Sequence, residues 1–139
     1  MYATTYIKAR DVADAVSHLK EADEGKLLAG GQTLIPTLKQ RLASSDRLID
    51  LTDAGLSGIS DEGSSIRIGA MTRHVEVETS ELVKEAIPAL ATLAGGIGDR
   101  QVRNCGTIGG SVANNDPSAC YPSAVMALGA TVHTDKRDI

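Results

Sequence analysis

Two short glycine-centred runs constrain this chain more than any other part of it. The first is Ala29-Gly30-Gly31-Gln32-Thr33-Leu34-Ile35-Pro36. The second lies within the stretch from Cys105 to Pro122 and centres on Thr107-Ile108-Gly109-Gly110-Ser111. Glycine removes the Cβ, so another backbone or a ligand can come close, and consecutive N–H groups in such a bend can face an anion. Taken singly, each pair reads equally well as a tight turn. Three features together favour a ligand. Each run is expected to join a strand to a helix, where amides and the helix dipole favour negative charge. Each carries hydroxyl or amide side chains beside its glycines: Gln32 and Thr33 in one, Thr107 and Ser111 in the other. The runs also fall in separate halves of the chain, as a diphosphate held across a crevice requires. The two are expected to close on one phosphate-bearing ligand.

Other phosphate motifs fail. There is no GxxxxGK[ST], and Gly96-Ile97-Gly98 is followed at position 101 by Gln101 where a dinucleotide fingerprint needs glycine. That run also follows a helical pattern, so a standard Rossmann site is not expected. A net charge of −4 argues against a nucleic-acid or anionic-membrane surface and leaves the holding of any phosphate mainly to backbone donors. Arg100 and Arg103 precede the second run and could neutralise phosphate, although solvated surface residues are the favoured reading. His18, His74 and His133 stand apart, without ligand or triad spacing, and read as structural or exposed.

The pattern of elements is that of an α/β chain. Residues 2–7 and 26–29 read as strands. Asp11 is expected to cap a helix whose apolar face is Val12, Ala15, Val16 and Leu19, ending at Gly25. Thr33 is expected to cap a helix running to Leu42, and residues 47–51 form a further strand. A boundary at 52–58 separates a first unit, 1–57, from a second, 58–139. The second opens on a hairpin turning at Asp61-Glu62-Gly63. Thr72 and Thr79 are each placed to cap a helix, and Pro88 should break the run that continues to Leu93. Asp116 and Pro117 read as the start of a last helix stopped by Gly129, and residues 130–134 as a strand. That strand has no evident partner, which suggests either completion from elsewhere or the front part of a longer polypeptide. No apolar run is long enough to cross a membrane and no signal-peptide core precedes the first strand, so the cytoplasm is the default compartment. Cys105 and Cys120 make no metal-ligand cluster, and reduced thiols are favoured over a disulfide. With three Tyr and neither Phe nor Trp, the core must be aliphatic.

At Ala29-Gly30-Gly31-Gln32-Thr33-Leu34-Ile35-Pro36 and at Arg103-Asn104-Cys105-Gly106-Thr107-Ile108-Gly109-Gly110-Ser111, in this order, the chain resembles the FAD-binding medium subunit of molybdenum hydroxylases, the carbon monoxide dehydrogenase and xanthine dehydrogenase group. The resemblance covers essentially the whole sequence. It implies an α+β fold of two α/β-type subdomains, the p-cresol methylhydroxylase-type FAD-binding fold, with the second subdomain incomplete. It also implies that Ala29, Gly30, Gly31, Gln32 and Thr33 form the first FAD loop and Thr107, Ile108, Gly109, Gly110 and Ser111 the second, with Asn114 and Asp116 as further polar contacts. Ser111 stands where many relatives have Asn, and Cys120 where many have Asp. The implied role is electron transfer from [2Fe–2S] clusters through FAD to an external acceptor. Its partners would be an iron–sulfur small subunit and a molybdopterin large subunit in a hetero-oligomer, and no side chain here need be catalytic. Two alternatives remain: a non-catalytic fragment that folds but holds FAD weakly, and a stand-alone flavin oxidoreductase, which would need an acid or base near the flavin.

Overall fold

The computed structural model describes residues 1–139. It opens with three short parallel strands, β1 (Thr5–Lys8), β2 (Lys26–Leu28) and β3 (Arg47–Asp50), arranged in the order β1-β3-β2. Ile7 and Leu27 both pair with Ile49, and Lys8 and Leu28 both pair with Asp50. Parallel strands need crossovers, and helices α1 (Val12–Glu21) and α2 (Leu34–Lys39) supply them. Residues sharing a register share a face, so one face of the sheet presents Ile7 and Ile49. Together with Ala9 and Ala15 of α1, Ile49 forms a buried cluster against which Leu19 and Leu51 pack. Leu48 and Leu38 are buried to 4% and 1% exposure.

Asp11 caps α1, its Oδ1 accepting from the Asp14 amide at 2.8 Å. Thr33 stands at the start of α2 without capping it; its carbonyl instead accepts from the Thr37 hydroxyl at 2.8 Å. The helix stops short of Leu42 because Arg41 turns left-handed, at φ +59. The Leu42 amide then reaches back to the Thr37 carbonyl and the Arg41 amide to Leu38, a Schellman closure made without glycine.

The hairpin of β4 (Ile59–Asp61) and β5 (Ile66–Ile68) follows, then helices α3 (His74–Thr79), α4 (Glu81–Ala86), α5 (Pro88–Gly95), α6 (Arg100–Cys105), α7 (Ile108–Asn114) and α8 (Cys120–Ala127). Pro88 does divide the apolar run, occupying the first position of α5. Val77, Val83, Leu90, Ala91, Ala94 and Tyr121 form a second buried cluster, aliphatic apart from the tyrosine. Thr79 is the last residue of α3, and Ser80 caps α4 in its place, accepting from the Val83 amide. Thr72 is wholly buried and caps nothing: its hydroxyl donates to the Gly58 carbonyl and accepts from the Gly58 amide, both at 3.0 Å. Asp116 likewise closes a turn, accepting from the Ser118 amide, so α8 starts at Cys120, beyond Asp116-Pro117. Residues 130–134 form no strand. Val132 instead exchanges both backbone bonds with Ile139, and His133 bridges Asp138, so this segment finds its partner in the last residues of the chain. Cys105 and Cys120 are free and exposed.

Truncating Leu38 to Ala should therefore remove about 2–5 kcal/mol of stability. The check is a lower denaturant midpoint at unchanged slope.

Candidate functional site

The first glycine run leaves the C-terminal end of β2 and enters α2. Gly31 adopts φ +70, a conformation that favours glycine, and the Gln32 amide group folds back to donate to the Gly30 carbonyl at 2.9 Å. The backbone amides of Gly30, Gly31, Gln32 and Thr33 donate to no acceptor within the chain. Backbone donors left in such a bend form the kind of concavity that takes an anion.

The second run is built differently from expectation. It does not leave a strand: α6 precedes it, capped by Asp99 on the Val102 amide at 2.8 Å, and Gly109 and Gly110 lie inside α7. Residues 100–105 lack the apolar stripe that would have revealed a helix. Thr107 is buried and caps α7, its Oγ1 accepting from the Gly110 amide at 3.2 Å. The other amides are also engaged. Ile108 donates to the Thr72 carbonyl at 3.0 Å, Gly109 to Ala70 at 2.8 Å and Ser111 to Thr107 at 3.1 Å. Only the Thr107 amide in this run, among residues 107–111, has no acceptor. The glycines here thus serve close approach: a Cβ on Gly109 would lie 2.5 Å from the Ala70 Cβ, so this loop is pressed against residues 70–74.

The two runs meet. A Cβ built on Gly30 would lie 2.3 Å from the Cys105 carbonyl oxygen and 2.6 Å from the Gly106 Cα. One built on Gly110 would lie 2.8 Å from Thr107 Oγ1 and 3.3 Å from the Ala29 Cβ. At Gly30 backbone therefore packs directly on backbone, while at Gly110 the Ala29 methyl and the Thr107 hydroxyl close the contact. Gly30 is brought against Cys105 and Gly106 and Ala29 against Gly110, whereas Gly31 meets only Leu28 and Ile35 of its own half; Gln32 and Thr33 are exposed on the same bend. Ile108 and Ser111 are half-buried on α7. Asn114 lies at the far end of that helix without a hydrogen bond, and Asp116 is committed to its own turn. Arg103 does not reach toward the loops as a loose cation: it is bound to Glu78 at 3.0 Å and to the carbonyls of Ile97 and Gly98. Two open clefts, of about 480 and 380 Å³, are lined by residues of neither loop.

Under the second loop lies His74. Its amide donates to the Gly106 carbonyl at 3.0 Å, and a Cβ on Gly106 would fall 2.5 Å from its Nε2. The ring is buried beside Tyr121, with centroids 5.3 Å apart, and neither His74 Nδ1 nor the Tyr121 hydroxyl has a hydrogen-bond partner. Burial, helped by the charge of Arg103, pushes the His74 pKa below its ordinary value, and burial pushes that of Tyr121 up. No local spacing marks His74, because its partners Gly106 and Tyr121 lie more than thirty positions along the chain.

The sequence matches, over residues 2–138, the family described as the FAD binding domain in molybdopterin dehydrogenase. The chain belongs to that family. It is 41% identical over 127 residues to the carbon monoxide dehydrogenase medium chain of Afipia carboxidovorans, covering 90% of this chain and 44% of that one. It is 37% identical over 129 residues to the glyceraldehyde dehydrogenase medium chain of Sulfolobus acidocaldarius, covering 92% and 46%. Among solved structures it matches the Cu,Mo-CO dehydrogenase with a TM-score of 0.90 at 39% identity, over 94% of this chain and 46% of that one. It matches quinoline 2-oxidoreductase from Pseudomonas putida 86 at 0.94 and 30%, over 99% and 50%. The chain spans about half the length of the curated relatives it matches. No helix is long and apolar enough to cross a membrane.

Two outcomes follow from this geometry. Gly30→Ala should destabilise the fold by about 1–3 kcal/mol through backbone overpacking. Gly96→Ala, where a Cβ meets nothing closer than 3.5 Å and φ is −85, should be neutral or slightly stabilising; paired thermal melts check both. Because the native His74 is the weaker base, its contribution is fully present above about pH 6.5 and is lost as pH falls from there toward its depressed native pKa. Melts between about pH 4 and 7 should show that loss in the wild type and a flatter profile in His74→Gln.

Proposed function

We propose that this chain is the FAD-holding part of an electron-transfer subunit of a molybdenum hydroxylase of the carbon monoxide dehydrogenase type. The contact of Gly30 with the Cys105–Gly106 backbone is the observation that carries the reading, because it brings together runs of sequence about seventy-five residues apart. On this reading residues 29–33 hold one side of the FAD diphosphate with their uncommitted amides. Residues 107–111 flank the other side, set there by the packing of Gly109 on Ala70 and of Gly110 beside Ala29, and Thr107 offers its amide. Asn114 and Asp116 would be outer polar contacts, Asn114 the better placed because its side chain carries no bond within the chain. The two buried clusters support a division into units 1–57 and 58–139, with the cofactor between them.

When bound, FAD supplies the redox chemistry, taking electrons from [2Fe–2S] clusters on a small subunit and giving them to an external acceptor. The chain's own residues bind and orient. The partners would be that iron–sulfur subunit and a molybdopterin-bearing large subunit, consistent with a relative that is itself a medium chain.

Incubation of the full-length polypeptide with FAD should leave stoichiometric flavin bound after gel filtration, with a perturbed visible spectrum. Gly110→Ala, which forces Thr107 and Ala29 apart, should weaken that binding at least about tenfold, or about 1.4 kcal/mol. A wild-type polypeptide that retains no flavin would sink the reading. Copurification with molybdenum and iron–sulfur subunits from the native source tests the electron-transfer role.

A further inference from the structure

The two loops are unequal. The first offers a row of uncommitted amides, whereas most amides of the second are spent on residues 70, 72 and 107, and a doubly charged diphosphate lying there faces few donors. The nearby cation named by sequence position, Arg103, is tied to Glu78 and two carbonyls. The topology supplies another. Arg73 stands opposite Thr107 in an isolated antiparallel bridge, flanked by the bonds from His74 to Gly106 and from Ile108 to Thr72. In this non-hydrogen-bonded pairing the two residues' side chains leave the same face. Thr107 Oγ1 marks where that face leads, since it bonds Gly110, whose missing Cβ would touch Ala29. Arg73 therefore emerges beside the junction of the two loops. It is exposed, its guanidinium makes no ion pair or hydrogen bond in the chain, and the Glu76 carboxylate accepts instead from the Arg73 backbone amide at 2.7 Å.

We propose that Arg73 is the phosphate-neutralising residue of the second loop, its guanidinium pairing with the diphosphate of the dinucleotide held between residues 29–33 and 107–111. The inference rests on the FAD reading above and adds a residue that neither glycine run contains. A planar, permanently charged fork suits a phosphate oxygen pair better than a lysine ammonium does. It also accounts for how a chain of net charge −4 keeps an anionic cofactor: Arg73 is left unpaired beside the site, whereas Arg103 is locked in structure.

The test uses the full-length polypeptide and reads affinity by quenching of flavin fluorescence, with FAD and with riboflavin, which has no phosphate. Four forms are compared: wild type, Arg73→Ala, Arg73→Lys and Arg100→Ala, the last removing another exposed cation, from the start of α6. Arg73→Ala should weaken FAD about 10–100-fold, leave riboflavin unchanged and flatten the salt dependence of FAD binding. Arg73→Lys should fall between, and Arg100→Ala should match the wild type. Unaltered thermal melts are expected for all, because both arginines are exposed. If the wild type binds FAD and Arg73→Ala binds it equally well, the inference falls while the FAD reading stands. Equal weakening of FAD and riboflavin, or an Arg100→Ala effect as large as that of Arg73→Ala, also overturns it. A wild-type polypeptide that takes up no FAD removes both.

Discussion

Much of this architecture depends on one contact, the backbone of Gly30 lying directly on the backbone at Cys105 and Gly106. A methyl group at position 30 would stand 2.3 Å from a carbonyl oxygen, well inside van der Waals contact, so the approach exists only because that atom is missing. The contact joins the parallel sheet unit to the helical unit, whose buried clusters are otherwise separate. It also brings the edges of the two loops together with only the Ala29 methyl and the Thr107 hydroxyl beside the seam. A core that is aliphatic on both sides of such a seam carries the stability, leaving the seam itself to be shaped by backbone.

The same contact gives the site its asymmetry. The first loop can leave its amides uncommitted because it passes from a strand end into a short helix over a left-handed glycine. The second loop is pressed against residues 70–74, and to hold that position it spends its donors on Ala70, Thr72 and Thr107. Rigidity at one wall is thus obtained from hydrogen bonds that the other wall keeps available. His74 fits the same logic. It is a buried neutral ring under Gly106, holding the loop from below by its backbone amide, with its imidazole shielded from solvent. Protonation of the ring would weaken this packing, because burial and then the charge of Arg103 disfavour the imidazolium.

Local chemistry was legible where it was locally caused. The Asp11 cap, the break at Pro88, the strand over 47–50, the hairpin at 59–68 and both glycine runs could be read from the residues, because each is set by neighbours within a few positions. Errors arose where a distant partner overrode a local preference. Thr72 has the chemistry of a cap, yet Gly58 claims its hydroxyl in both directions. Asp116 before Pro117 has the pattern of a helix start, but the chain makes one more turn before α8. Residues 100–105 form a helix on the strength of the Asp99 cap without an apolar stripe, so periodicity had nothing to detect. Ala70 and Arg73, which carry no motif of their own, come beside the second loop only through pairing with Thr107 and Gly109.

By itself the sequence determined that this would be an aliphatic α/β chain with two glycine bends and the membership of an FAD-binding family, because composition, spacing and motif are properties of neighbouring residues. Only the tertiary structure decided that the bends touch, that one keeps its amides while the other spends them, and that Arg73 and His74 stand beside and beneath the second. Those outcomes depend on which atoms from distant segments reach a backbone group first, and that competition is settled in three dimensions.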